Sequence, residues 1–277
     1  MRPNNERQHW HGFTLVELLV VVGIVTLLIA LLMPALSKVR KHALEVNCAA
    51  NLRSIGQALT AYTQHSGFYP GCSAGPIAVW PTRLRTFLGG NTAVFLCPAQ
   101  DQRSEWKMGG PAPGGIAGPA HVVWQYEVGE PLVNDMGTFF SYGYNTLGTG
   151  SGGSLVMGGG MSDTHLGLGE HVTRDPTNPG RHRELRATRV KNPAEMIAVA
   201  DSTVDGGADF RIFPTNSGYP LLPAPPVPGT IHRGGANILF CDGHVQWYLQ
   251  KEVVLPSDSL ASERVIRRMW NNDHEAH

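Results

Sequence analysis

Gly12-Phe13-Thr14-Leu15-Val16-Glu17-Leu18-Leu19-Val20-Val21 is the stretch whose reading decides the architecture. It straddles a sharp boundary. Residues 1 to 12 are polar and carry Arg2 and Arg7, whereas from Phe13 to Leu36 the chain is apolar with hardly a break, and Leu18 to Leu32 holds no charge. As a helix rising ~1.5 Å per residue this run spans ~36 Å, enough for the ~30 Å hydrocarbon core of a bilayer. A secretory signal would place a small-residue cleavage site after the apolar run. Here Pro34 and a charged helical stretch with Lys38, Arg40 and Lys41 follow instead, so the segment is expected to stay in the protein. Arg2 and Arg7 do not outnumber those three cations, so charge does not set the topology. Glu17 is the odd residue: a carboxylate costs roughly 2.5–3.5 kcal/mol at mid-membrane, less near the interface, and needs a partner.

The same ten residues resemble the cleavage and methylation signature of type IV prepilins and type II secretion pseudopilins. The resemblance implies that residues 1–12 are a leader and that a prepilin peptidase cuts between Gly12 and Phe13 and methylates the new Phe13 amine. It also implies that residues 13–36 form the transmembrane and filament-core helix. Glu17, fifth in the processed chain, would then attract the N-terminal amine of a neighbouring subunit, which supplies the compensation that burial requires. Pro34 fits too, since such helices commonly carry a bending proline near this point. The bland alternative is a single-pass anchor with Glu17 at headgroup level.

Working outward, the helical period continues through Leu36, Val39, Ala43, Val46 and Ala50, then Leu52, Ile55, Leu59 and Tyr62. This predicts an amphipathic continuation over 37–66, ending near His65 before Gly67 and Pro70, with one apolar face laid on a globular head formed by 67–277. Periodicity is weak from 71 to 190. Phe95 to Pro98 reads as a strand ending in a turn, Val122 to Tyr126 and Phe139 to Tyr144 as short strands, and Gly109 to Gly118 as loop. Met196 to Ala200 reads as a buried strand ending at Asp201. Ala236 to Phe240 and Val245 to Tyr248 flank Asp242-Gly243 and predict a β-hairpin. His232, Asp242 and Gly243 form an H-X9-DG pattern, and this pattern together with Asn51 to Tyr62 and Gly67 to Pro70 resembles a planctomycete-type subgroup of prepilin-like proteins. The expected fold class is therefore α+β and pilin-like: a long N-terminal helix packed on a small antiparallel sheet with long loops.

Composition narrows the function. Lys+Arg and Asp+Glu are both 22, so no basic field exists to collect nucleic acid. The 33 glycines and 20 prolines point to a loop-rich head. The glycine-rich run from Gly148 to Gly160 lacks the Gly-Lys-Ser/Thr of a phosphate loop and reads as surface loop. No H-E-x-x-H or kinase-like set is present, and no enzymatic role is expected. Cys48, Cys72, Cys97 and Cys241 lack C-x-x-C spacing; they can pair three ways, and disulfides and buried free thiols stand as equal readings.

His232, Asp242 and His244 invite a metal reading. An extended Ala236–Phe240 covers ~16 Å, however, which puts His232 and Asp242 at opposite ends of a strand. Asp242 has a sufficient role in capping its turn, and His232 is expected to be a structural hydrogen-bonding residue. Calcium is the other cofactor considered, because the major pseudopilins resembled here hold it in a C-terminal loop and Asp201, Asp205, Asp209 and Asp242 offer hard oxygen ligands. Asp201 to Asp209 lacks the EF-hand pattern, so no site is assigned.

The expectation is a filament subunit of a type IV pilus-like or type II secretion pseudopilus machine, first single-pass in a bacterial inner membrane with its head extracytoplasmic, then in a periplasmic or cell-surface filament. Its implied partners are the prepilin peptidase, other copies and minor pilins, and an inner-membrane assembly platform. The alternative is a permanently anchored envelope protein whose head binds a ligand or surface polymer.

Overall fold

A computed structural model describes residues 14–74, 77–78, 80–100, 133–134, 140–146, 148, 166–169, 184–202, 209–215, 226–255 and 263–276. Gly12, Phe13, Asp205, the expected strand at Val122 to Tyr126, the loop at Gly109 to Gly118 and nearly all of Gly148 to Gly160 lie outside them. The chain divides into two compact units, Met1–Ala43 and Leu44–His277. The boundary falls inside one helix, α1 (Leu15–Ser66, 52 residues).

Between Leu18 and Leu36 α1 is apolar all round, and every residue from 14 to 43 is exposed. Leu19, Leu27, Leu31 and Leu36 are each at least three-fifths exposed. A helix without a polar face has no aqueous resting place, and α1 is long and apolar enough to cross a membrane. Pro34 lies within it and has no N–H to donate to the Ala30 carbonyl.

In the second unit the same helix becomes one-sided. Its buried row is Glu45, Cys48, Leu52, Ile55 and Leu59, with Gly56 and Ala58 beside it. This corrects the expected face in one respect: Val39, Ala43, Val46 and Ala50 are exposed, and the row enters the core through Glu45 and Cys48. Glu45 is tolerated there because Arg233 clasps it with two bonds, Nε to Oε2 at 2.7 Å and Nη2 to Oε1 at 2.6 Å.

The main sheet has five strands: β4 (Tyr142–Asn145), β5 (Ile197–Asp201), β6 (Arg211–Ile212), β7 (Gly235–Phe240) and β8 (Val245–Leu249), in the order β6-β4-β5-β7-β8. β4 and β6 are parallel and all other neighbours antiparallel. The sheet is thus mixed rather than antiparallel throughout. Three two-residue strands, β1 (Ser73–Ala74), β2 (Ile77–Ala78) and β3 (Val133–Asn134), form a second, antiparallel sheet. The expected strand at Phe95 to Pro98 is instead a 3-10 turn (Ala93–Phe95) running into the Cys97-Pro98 corner, because short i→i+3 bonds from Phe95 and Leu96 close it.

The main sheet is covered on both faces. Cys48, Leu52, Ile55 and Leu59 of α1 share one cluster with Trp80 of α2 (Trp80–Arg85), Phe95, Tyr144, Val199 and Leu239. Ile197, Ala200, Ile238 and Phe240 turn to the other cluster, with Val253 of α3 (Gln250–Val253) and Trp270 of α4 (Arg264–Trp270). Burial on both faces is why Ile-Ala-Val-Ala-Asp at β5 shows no polar alternation. Gly56 permits a close approach of α1 to the sheet. A Cβ there would stand 2.7 Å from Leu239 Cδ1 and 3.3 Å from the Gly243 carbonyl oxygen.

Candidate functional site

Two places combine chemistry with defined geometry. The first is the start of α1. Thr14 precedes the helix, its hydroxyl accepts from the Glu17 N–H at 3.2 Å, and Glu17 Oε2 accepts from the Thr14 N–H at 2.9 Å and hydroxyl at 2.8 Å. This is a reciprocal capping box, T-x-x-E, which satisfies two of the orphan donors at a helix start. Within one chain, then, Glu17 already has a local partner. Sequence reasoning assigned its need for compensation to another subunit and passed over the Thr14 spacing that was there to be read.

The second place lies in the head, where four segments converge. Cys48 comes from the buried row of α1, and Cys97 from the corner that ends the 3-10 turn. Asp201 ends β5, and His232 sits just before β7. Cys48 and Cys97 form a disulfide, closing a sequence separation of 49, while Cys72 and Cys241 are free thiols. Exposure is nil at Cys48 and Asp201, 3% at Cys97 and 2% at His232. His232 Nε2 stands 3.5 Å from Cys97 Sγ and 3.4 Å from Asp201 Oδ2. Asp201 Oδ2 also accepts from the Asn237 N–H at 2.7 Å. The other oxygen, Oδ1, is buried with no hydrogen-bond partner among the described residues. One ligand atom from each of the four residues lies within 4.8 Å of the others.

The surroundings hold this arrangement in place. The His232 carbonyl accepts from Trp247 Nε1 at 2.8 Å and from the Gly235 N–H at 3.0 Å, and the His232 N–H donates to the Gly235 carbonyl at 3.2 Å. Arg233 follows with a positive φ of 56°, and its guanidinium covers the Trp247 ring at 4.7 Å while it binds Glu45. The Tyr142 hydroxyl donates to the Cys48 carbonyl at 3.4 Å, and burial first, then the neighbouring Asp201, push its phenol well above the usual range.

Of the residues singled out from sequence, His232 and Asp242 fall at opposite ends of β7. Asp242 Oδ1 accepts from the His244 N–H at 3.0 Å and contacts His244 Nδ1 at 2.6 Å, and Gly243 takes a φ of 95°. The pattern thus braces α1 twice, His232 beside Cys48 and Gly243 beside Gly56. Asp201 and Asp242 do not converge either: Asp201 lies beside Asn237, whereas the Asp242 N–H reaches the Pro193 carbonyl before the other end of β5. Asp209 is buried next to Phe210. Cys48 and Cys97 as neighbours of His232 escaped sequence reasoning, because their spacing carries no local signature. Comparison with family models, with curated proteins and with solved structures gives no match for this chain.

Proposed function

We propose that the chain is a structural subunit of a type IV pilus-like or type II secretion pseudopilus filament, processed after Gly12 and assembled through α1. The observation that carries this reading is the pairing of a prepilin-type boundary at Gly12-Phe13 with a carboxylate, Glu17, in the first turn of a helix exposed over its whole apolar length. An all-apolar helix must be covered by lipid or by protein, and copies of itself supply a cover in which the head is displayed outward. Repetition of one contact without closure gives a filament. The activity of the protein on this reading is assembly, and the α+β head is pilin-like in role.

The capping box sharpens the test. Glutamine at the same position preserves a T-x-x-Q box but removes the charge. The Glu17→Gln chain is therefore expected to be processed normally and to anchor normally, yet to be missing from sheared surface filaments. Glu17→Ala should lose both roles. Mass spectrometry of the N-terminus in membrane and sheared fractions reads the outcome. Wild-type chains beginning at N-methylated Phe13 in the sheared fraction are expected. An intact leader confined to the membrane would overturn the reading in favour of a permanent anchor, and normal filaments from Glu17→Gln would remove the charge from assembly.

A further inference from the structure

Burying a carboxylate with one oxygen unpartnered costs free energy unless something else is bound there. Asp201 Oδ1 is such an atom among the described residues, and the neighbours of this carboxylate are unlike those of an ordinary buried acid: two sulfurs and an imidazole nitrogen. Two thiolates, one imidazole and one carboxylate are a donor set suited to zinc, with Zn–S near 2.3 Å and Zn–N and Zn–O near 2.0–2.2 Å. A tetrahedron with those bonds holds its ligand atoms about 3.3–3.8 Å apart. All four atoms here already lie within 4.8 Å of one another, so side-chain adjustments of about 1 Å suffice. The second shell is present too, since Asp201 is fixed by the Asn237 N–H and the His232 backbone by Trp247 and Gly235. None of this depends on filament assembly.

We propose that, with Cys48 and Cys97 as thiols, the head binds one zinc-type divalent ion through Cys48 Sγ, Cys97 Sγ, His232 Nε2 and a carboxylate oxygen of Asp201, and that the Cys48–Cys97 disulfide and the bound ion exclude each other. Thiolates ligate and disulfide sulfurs do not. The newly made chain carries both cysteines as thiols, so the ion precedes the disulfide. Conversion proceeds by exchange with a partner disulfide. The two cysteine thiolates give up two electrons and form the Cys48–Cys97 bond. The partner's S–S bond breaks, takes those electrons with two protons from water and leaves as two thiols, and the ion passes to solvent. Ion and disulfide are thus alternative ties for the same four segments.

The test uses the full chain in detergent, with Cys72→Ala and Cys241→Ala removing the other thiols. After anaerobic reduction with a phosphine it is loaded with cobalt(II) and passed over a chelating resin. One cobalt per chain is expected, with thiolate-to-cobalt charge-transfer absorption and the intense visible bands of a four-coordinate site, displaced by zinc and released by oxidised glutathione. The unreduced chain should retain none. Asp201→Asn, nearly isosteric, and His232→Gln should each weaken retention by at least the roughly ten- to hundredfold that loss of an outer-shell partner costs. A reduced chain that is folded by circular dichroism yet keeps no cobalt overturns the proposal, as does retention unchanged by Cys48→Ser with Cys97→Ser. If reduction unfolds the chain, cobalt must restore the folded spectrum; failure to do so overturns it equally.

Discussion

Replacing both Cys48 and Cys97 with alanine removes the covalent tie between α1 and the corner after the 3-10 turn. The closed loop corresponds to a sequence separation of 49. In the chain-entropy account, freeing a loop of this length stabilises the unfolded state by about 4 kcal/mol at 25 °C. A folded domain holds roughly 5–15 kcal/mol in total, so the variant should keep its fold with a much narrower margin. For a unit of this size each kcal/mol corresponds to roughly 2–4 °C, which converts to a Tm lower by about 8–16 °C. The assay is thermal unfolding of the full chain in detergent, followed by near-ultraviolet circular dichroism. That signal reports on packing around Trp80 and Trp270, one in each core cluster, and is blind to the apolar half of α1. Wild-type chain reduced in the presence of a chelator should fall by a similar amount, because the tie rather than the sulfur atoms is lost. A drop below about 3 °C, or a reduced wild type that melts with the oxidised one, would refute the reasoning.

Gly235→Ala places a Cβ against the Tyr248 carbonyl oxygen and 2.9 Å from two Trp247 ring atoms. The expected outcome is a loss of about 1–3 kcal/mol in denaturant unfolding, against the small gain usual for Gly→Ala; no loss would mean that the β7–β8 pair opens freely at this end. Stability should also fall as pH rises above about 9. Burial pushes the Cys241 thiol up to about 12 from 9.0 and holds the Tyr69, Tyr142 and Tyr144 phenols above their usual range. The folded chain keeps these protons where the unfolded chain gives them up, so stability is complete below the unfolded values and lost progressively from there up to the raised folded values. A flat profile of unfolding midpoints from about pH 8 to about pH 10 would contradict this.

Those parts of the fold that rest on local periodicity could be read directly. The end of α1 at Ser66, the strand ending at Asp201 and the hairpin around Asp242-Gly243 follow from helix period, apolar run and turn chemistry. The buried row of α1 was half visible: from Leu52 onward it is apolar as expected, but before that it passes through Glu45, whose burial depends on Arg233 far away in sequence. The parallel β4–β6 pair joins Tyr144 to Arg211, where β6 contributes two residues, too few to show a period. The Cys48, Cys97, Asp201 and His232 cluster is the clearest limit. Its members are separated by tens of residues, each has an ordinary reading alone, and only the tertiary fold brings them within 4.8 Å.

The order of strands has a kinetic consequence. β5 stands at the centre, and both its neighbours pair with it across long stretches of chain: Tyr142 with Asp201, and Ile197 with Phe240. The Asn145 side-chain amide reaches the Trp270 carbonyl at 3.0 Å, and the Asn272 N–H reaches the Leu166 carbonyl at 2.6 Å. Such closures cost chain entropy before they repay it, which slows folding relative to a head built of local contacts. Helix α1, by contrast, is made first and closes only local bonds. During synthesis the apolar half of α1, long and apolar enough to cross a membrane, is therefore complete long before the sheet that receives its other half can exist.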